Sequence, residues 1–138
     1  MPANVQFVAG DVRTQAGVQA IADAALQRLG GIDVIVNNAS ASRTFPAGSV
    51  SIPADEWRDV FDVTLMGAVW LNAALVPQML ERKSGAIVHI ASSAAFNVPG
   101  RCSTTALRRR RSSRLVSDRA AYVVGANLVI DGGEQVRP

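Results

Sequence analysis

The chain has 138 residues, 49% of them hydrophobic, and its mean hydropathy is +0.18. These values indicate a folded globular domain and exclude a disordered, low-complexity chain. The only cysteine, Cys102, excludes a disulfide within the chain, so a reducing cytoplasm is the expected location. The net charge of +3 has a local origin, because residues 108–111 and Arg114 contribute +5 and the rest of the chain sums to −2.

The first thirty residues predict a strand followed by a helix. Residues 5–9 have strand composition, and Thr14 is a good N-cap for the helix that follows. Gly30 and Gly31 supply a left-handed stop. Apolar residues recur at three- and four-residue steps along this helix: Val18, Ile21, Ala22, Ala25, Leu26 and Leu29.

The segment 31–40, GIDVIVNNAS, predicts a second strand and the turn after it. Its apolar run is rich in β-branched residues, which is typical of a strand buried on both faces of a parallel sheet. Asn37 and Asn38 end the run, and the small residues after them allow a ligand to approach the backbone.

A long helix is predicted over residues 53–82. Residues 63–80 carry no charge, which raises the possibility of a membrane span. Thr64, Asn72 and Gln78 are poorly suited to a lone span, and the helix begins with a charged first turn. We therefore expect no membrane segment. Burial against the sheet on one face and a second subunit on the other explains the composition better, which predicts a homo-oligomer.

A third strand is predicted at residues 86–91, which end in Ser92 and Ser93. The carboxyl ends of parallel strands share one edge of a sheet, so Asn38 and Ser92 are expected at the same edge, where open α/β sheets bind ligands.

These segments resemble the short-chain dehydrogenase/reductase family. Residues 37–40 resemble its Asn-Asn-Ala-Gly motif, with Ser40 in place of Gly, and the strand ending in Ser92 resembles its catalytic-serine segment. Asp11 and Val12 match an Asp-Val pair that contacts adenine, and residues 117–133 resemble the closing strand and its Asp-Gly-Gly finish.

The resemblance implies an α/β, Rossmann-like three-layer sandwich with a parallel sheet. It implies NAD or NADP as cofactor, a small carbonyl or alcohol as substrate, and no metal. It also implies that Ser92 is catalytic, and it assigns the cofactor-binding positions: Asp11, Val12, Asn38, Ala39 and Ser40. In the family the long helix builds a subunit interface.

The chain departs from the family's pattern at its beginning and in its active site. It has no Gly-x-x-x-Gly-x-Gly phosphate turn and starts at the equivalent of the third strand, so about four strands are expected, without the first two and the sixth. It also has no Tyr-x-x-x-Lys pair, since Tyr122 and Lys83 are its only tyrosine and lysine. The family's Tyr and Lys fall at Thr105 and Arg109, and its helical Asn falls at Thr64.

The Arg-rich residues 105–116 are expected to be a disordered connector inside a single partial domain spanning residues 1–138. The abrupt change in composition there suggests a frameshift or an internal deletion in a full-length gene.

Three functions remain open from the sequence. The first is an NAD(P)-dependent oxidoreductase with impaired catalysis. The second is a non-catalytic remnant that acts as an oligomerisation module through the long helix. The third is nucleic-acid binding by the Arg run, for which a solvated connector is the simpler interpretation because no aromatic residue is interleaved with it. The substrate and the choice between NAD and NADP cannot be read from the sequence.

Overall fold

A computed structural model of the chain describes residues 5–41 and 52–91. The elements in chain order are α1 (Gln15–Leu29), β1 (Val34–Asn37), α2 (Ala54–Phe61), a π-helical turn (Asp62–Met66), α3 (Gly67–Arg82) and β2 (Ala86–His89). Of the described residues, 5–41 and 52–89 belong to one compact unit. The prediction of one partial domain over residues 1–138 with a connector at 105–116 lies outside the described residues and stays a prediction.

The two strands are parallel neighbours, with Val34 opposite Ala86 and Asn37 opposite His89. The amide of Ala86 donates to the carbonyl oxygen of Asp33 at 2.9 Å, which starts the pairing. Parallel strands joined by helices confirm the predicted α/β class.

Helix α1 begins and ends where the sequence predicts. The Thr14 hydroxyl accepts a hydrogen bond from the Gly17 amide at 3.1 Å, and this satisfies one of the free amides of the first turn. At the other end Gly30 adopts a left-handed conformation, with φ of 73°, and its amide donates to the Leu26 carbonyl.

The strand predicted at residues 5–9 is wrong, because the structure has no strand there. Val5 and Phe7 are 88% and 83% exposed. The strand composition of residues 5–9 is a local property, whereas a strand needs a neighbouring strand to pair its backbone groups. Within the described residues β1 and β2 pair only with each other. Arg28 donates to the Phe7 carbonyl oxygen at 3.0 Å.

The predicted long helix is present as one continuous helical stretch, Ala54–Arg82, of 29 residues. Asp55 and Glu56 lie in its first turn, and Lys83 ends it in a left-handed conformation with φ of 52°. The stretch is long and apolar enough to cross a membrane by length and composition, a test that core helices of soluble proteins also pass. The π-helical turn at its centre was not predicted.

The core lies between α1, α3 and one face of β1. Its buried members are Ala22, Ile32, Ile35, Leu75 and Met79. Half-buried residues of both helices pack around this cluster, including Leu26 and Leu71. The two helices therefore cover the same face of the sheet.

The opposite face of β1 is not covered within the described residues. Ile35 is 3% exposed, whereas its neighbour Val36 is 53% exposed. The prediction that this strand is buried on both faces is therefore wrong for the described part of the chain. Ile87, which lies opposite Ile35 in the register, is 42% exposed because the helices pack over β1 rather than over β2.

Polar side chains of α3 bind the start of β1. Gln78 Nε2 donates to the Ile32 carbonyl oxygen at 2.9 Å, and the guanidinium of Arg82 donates to the same oxygen. Arg82 also forms an ion pair with Asp33 at 3.0 Å. The carboxyl end of the helix is thereby fixed to the amino end of the strand.

Two leucines of α3 provide a matched test of this core. Leu75 is 4% exposed and Leu80 is 71% exposed. Leu75→Ala should lower the free energy of unfolding by about 2 to 5 kcal/mol through lost burial and the cavity left behind. Leu80→Ala should change it by less than about 1 kcal/mol. Urea unfolding of both variants measures the two free energies of unfolding. Equal losses of stability in the two variants would contradict a core between α1, α3 and β1.

Candidate cofactor site

The candidate site is the carboxyl end of β1 and the post-β1 segment, residues 38–41. Asn38, Ala39 and Ser40 are exposed there, so their backbone groups are open to a ligand. The parallel register places His89, the last residue of β2, beside Asn37 at the same edge. The predicted meeting of the two strand ends is therefore confirmed. Ser92 follows β2 by three residues but lies outside the described residues, so its role stays a prediction.

The long helix holds the post-β1 segment by two side chains. Asn72 Oδ1 accepts a hydrogen bond from Asn37 Nδ2 at 3.1 Å, just before the segment. Thr64 Oγ1, in the π-helical turn, accepts one from the Ala41 amide at 3.3 Å, at the end of the segment. Residues 38–40 therefore lie between two attachments to the same helix.

Asp11 does not cap α1, because Thr14 does. Its carboxylate instead accepts hydrogen bonds from the Arg13 amide at 2.9 Å and from the Arg13 guanidinium at 2.9 to 3.2 Å. These bonds lower the pKa of Asp11 below its ordinary value of 3.8. Arg13 also lies 3.6 Å from Asp59, so it connects the loop to α2. Asp11 and Arg13 are both exposed, and exposed ion pairs contribute little to stability.

Val12 contacts the start of α3 through Gly67. A Cβ atom on Gly67 would lie 3.0 Å from the Val12 carbonyl oxygen, which is tighter than normal packing allows. Gly67 is buried, so the missing side chain permits the loop backbone to pass closely over the helix.

The two parts of the candidate site meet on one short part of the long helix. Val12 packs on Gly67, and Ala41 binds Thr64. Thr64 lies in the π-helical turn, and Gly67 begins α3 three residues later on the same helical stretch. The structure thus brings the Asp11–Val12 loop and the post-β1 segment to adjacent positions, although the sequence separates them by more than twenty residues.

The chemistry of this edge is that of a binding surface. It offers exposed backbone, one carboxylate with a lowered pKa and one half-buried apolar side chain. Within residues 5–41 and 52–91 no group of three or more His, Cys, Asp or Glu residues is arranged to hold a metal ion. The same ranges contain no glycine-rich phosphate turn.

Sequence reasoning missed Arg13, Gly67 and Asn72. A signal for Asn72 was available, because it is one of few polar residues in an uncharged helical run, where such a residue needs a partner. Gly67 gave the same kind of signal as a glycine inside a helix, which usually has a packing reason. Arg13 carried no signal, since an arginine beside an aspartate is common on any surface.

The lowered pKa of Asp11 leads to a test by titration. A depressed carboxylate pKa means that the Asp11–Arg13 contact is present above pH 3.8 and is lost as the pH falls through the lowered value. Arg13→Gln removes the guanidinium, so the Asp11 pKa should rise towards 3.8. Carbon-detected NMR titration of the side-chain carboxyl follows this shift. An Asp11 pKa that is the same in wild type and variant would contradict the contact.

Known proteins match this chain over most of its length. A family model described as short chain dehydrogenase matches residues 2–104. An uncharacterized oxidoreductase of Staphylococcus aureus (strain USA300) is 33% identical over 95 residues, which are 69% of this chain and 40% of that protein. A short-chain dehydrogenase from Streptomyces avermitilis is similar in structure, with a TM-score of 0.57, 35% identity, and coverage of 62% of this chain and 31% of the other.

The L-sorbose reductase of Gluconobacter frateurii, solved in complex with NADPH and L-sorbose, superimposes with a TM-score of 0.62 and 34% identity, over 68% of this chain and 35% of the reductase. The matches thus span about a third to two fifths of the length of these relatives. A family match over more than half of the chain, together with solved structures of the same fold, establishes the assignment. The chain belongs to the short-chain dehydrogenase family.

Proposed function

We propose that the chain binds a nicotinamide cofactor, NAD or NADP, at the carboxyl edge of β1 and that its fold serves hydride transfer between this cofactor and a small carbonyl or alcohol. The observation that supports the proposal most directly is the exposed post-β1 segment, held by the long helix beside the Asp11–Val12 loop. The relatives with solved structures include one in complex with NADPH.

Each predicted site residue has a role in this proposal. The Asp11 carboxylate accepts a hydrogen bond from the adenine amino group, and the Val12 side chain packs on the ring. Asn38, Ala39 and Ser40 present their backbone to the ribose on the nicotinamide side. Ser92 donates a hydrogen bond to the carbonyl oxygen of the substrate and so stabilises negative charge that develops there. The cofactor, when bound, supplies the hydride.

We further propose that catalysis is impaired in this chain. A Tyr-x-x-x-Lys pair works because a nearby ammonium lowers the pKa of the phenol, and the sequence contains no such pair. Lys83, the only lysine, follows α3 and precedes β2. It is therefore at the amino edge of the strands, opposite the edge where Asn38 lies, and Arg109 remains protonated and cannot relay a proton.

Cofactor binding and turnover are tested separately with the full chain. Wild type should bind NADH in a calorimetric titration, and Asp11→Ala should weaken binding about five-fold through the loss of one hydrogen bond to the adenine. Asp23→Ala is the matched control, since it makes the same change at an exposed position of α1, and it should leave the affinity unchanged. Absence of NADH binding to wild type, or equal effects of the two variants, would contradict the site.

NADH or NADPH mixed with the chain and a panel of aldehydes and ketones should show no oxidation above the uncatalysed rate. Oxidation that depends on the chain and is abolished by Ser92→Ala would show instead that another residue replaces the missing acid–base pair.

A second proposed function is self-association through the long helix. Trp57, Phe61, Leu65 and Val69 are spaced by four residues and form one stripe, and each is 43% to 54% exposed. The rings of Trp57 and Phe61 lie 6.3 Å apart between centroids. A stripe of this kind matches the expected homo-oligomer through helix 53–82, in which a second copy covers the face that the sheet does not. We propose that the self-associated chain acts in the cytoplasm. We propose neither a membrane segment nor a nucleic-acid partner.

Charge insertion tests the stripe. Leu65→Lys should convert an oligomer to a monomer in light scattering coupled to size exclusion, because an ammonium would be buried in the interface. Leu29→Lys is the matched control, as Leu29 is 58% exposed at the end of α1 and lies outside the stripe. Wild type that elutes as a monomer at tens of micromolar would argue against self-association.

A further inference from the structure

Asn72 is a half-buried amide in the uncharged part of α3. Leu71 and Leu75, beside it on the helix, belong to the apolar core or pack against it. Its Oδ1 accepts the hydrogen bond from Asn37 Nδ2 at 3.1 Å. An amide in such surroundings needs a partner, and the partner it has is the last residue of β1.

The position of Asn37 gives this bond a consequence beyond stability. Asn37 is followed directly by Asn38, so its orientation sets the direction in which the post-β1 segment leaves the strand. The far end of the segment is bound by Thr64, on the same helix. With both ends attached to one rigid element, the backbone of residues 38–40 has little freedom.

We propose that Asn72 is a positioning residue for the cofactor site, acting through Asn37 on the backbone of residues 38–40. It does not contact the cofactor itself. The inference rests on the proposed function in so far as residues 38–40 face the cofactor, and the effect of Asn72 on the backbone of those residues can be measured without any ligand.

Gln78 provides a matched control on the same helix. It is also a half-buried amide, and its Nε2 donates to the Ile32 carbonyl oxygen at 2.9 Å. That bond is at the amino end of β1, whereas the bond of Asn72 is at the carboxyl end. Asn72→Leu and Gln78→Leu therefore make similar polar-to-apolar changes at opposite ends of one strand.

The experiment compares amide exchange and NADH affinity in the two variants of the full chain. Asn72→Leu should speed exchange of the Ala41 amide, which donates to Thr64 Oγ1, about five-fold relative to wild type, which is the effect of one neutral hydrogen bond. It should weaken NADH binding by a similar factor. Gln78→Leu should change neither the amide exchange of this segment nor the NADH affinity, even if it lowers the melting temperature as much as Asn72→Leu does.

Equal exchange at residues 38–41 in the two variants would overturn the proposal. If wild type binds no NADH, the proposed function fails, while the exchange comparison still decides the role of Asn72.

Two single charge variants and the double variant that combines them keep the proposal testable if Asn72→Leu does not fold. In Asn37→Asp or Asn72→Asp alone, the remaining amide can turn to donate to the new carboxylate, so the bond persists. In the double variant two carboxylates face each other and the donor is gone. Each single variant should therefore stay within about two-fold of wild type in exchange at residues 38–41, and the double variant should exceed five-fold. A double effect equal to the product of the single effects would overturn the proposal.

Discussion

The packing of α3 on β1 is the interaction on which the rest of the described structure depends. Ile32 and Ile35 of the strand region meet Leu75 and Met79 of the helix, and α1 joins the same cluster through Ala22. Burial of this kind is non-directional and sets no register by itself. The direction comes from polar side chains of the helix that bind in reverse order along the strand: Gln78 at Ile32, Asn72 at Asn37 and Thr64 at Ala41. These bonds fix the helix antiparallel to the strand and determine where the strand's open end lies.

The two ends of β1 differ because of the groups that reach them. At the amino end the guanidinium of Arg82 binds the Ile32 carbonyl and the Asp33 carboxylate, so this end is held by charge-assisted bonds. At the carboxyl end neutral amides and a hydroxyl hold the backbone without covering it, so Asn38 to Ser40 stay exposed. The same helix therefore holds both ends of β1 and leaves the carboxyl end exposed. The carboxyl ends of the strands are where open α/β sheets bind ligands.

Helices and neighbouring strands could be predicted from the sequence because their signals are local. The Thr14 cap, the Gly30 stop and the apolar spacing of α1 appear in the structure as expected. The prediction of a strand at residues 5–9 is wrong because strand pairing depends on a partner that is distant in the sequence, and local composition carries no information about that partner. The hydrogen-bond partners of Thr64, Asn72 and Gln78 could not be predicted from the sequence for the same reason. From the sequence these residues argued only against a membrane span, whereas the structure shows that each of them binds the β1 region.

In the function that we propose, cofactor binding and catalysis depend on different parts of the fold. The backbone that faces the proposed cofactor is set by α3 and by the loop that passes over Gly67, and both are present in the described residues. Proton transfer by a Tyr-x-x-x-Lys pair needs a phenol and an ammonium side by side at the same edge, and the only lysine lies at the other edge. The geometry of the exposed segment comes from packing and from hydrogen bonds to the long helix, neither of which involves a proton-transfer pair. This is why we propose affinity for a dinucleotide together with impaired turnover.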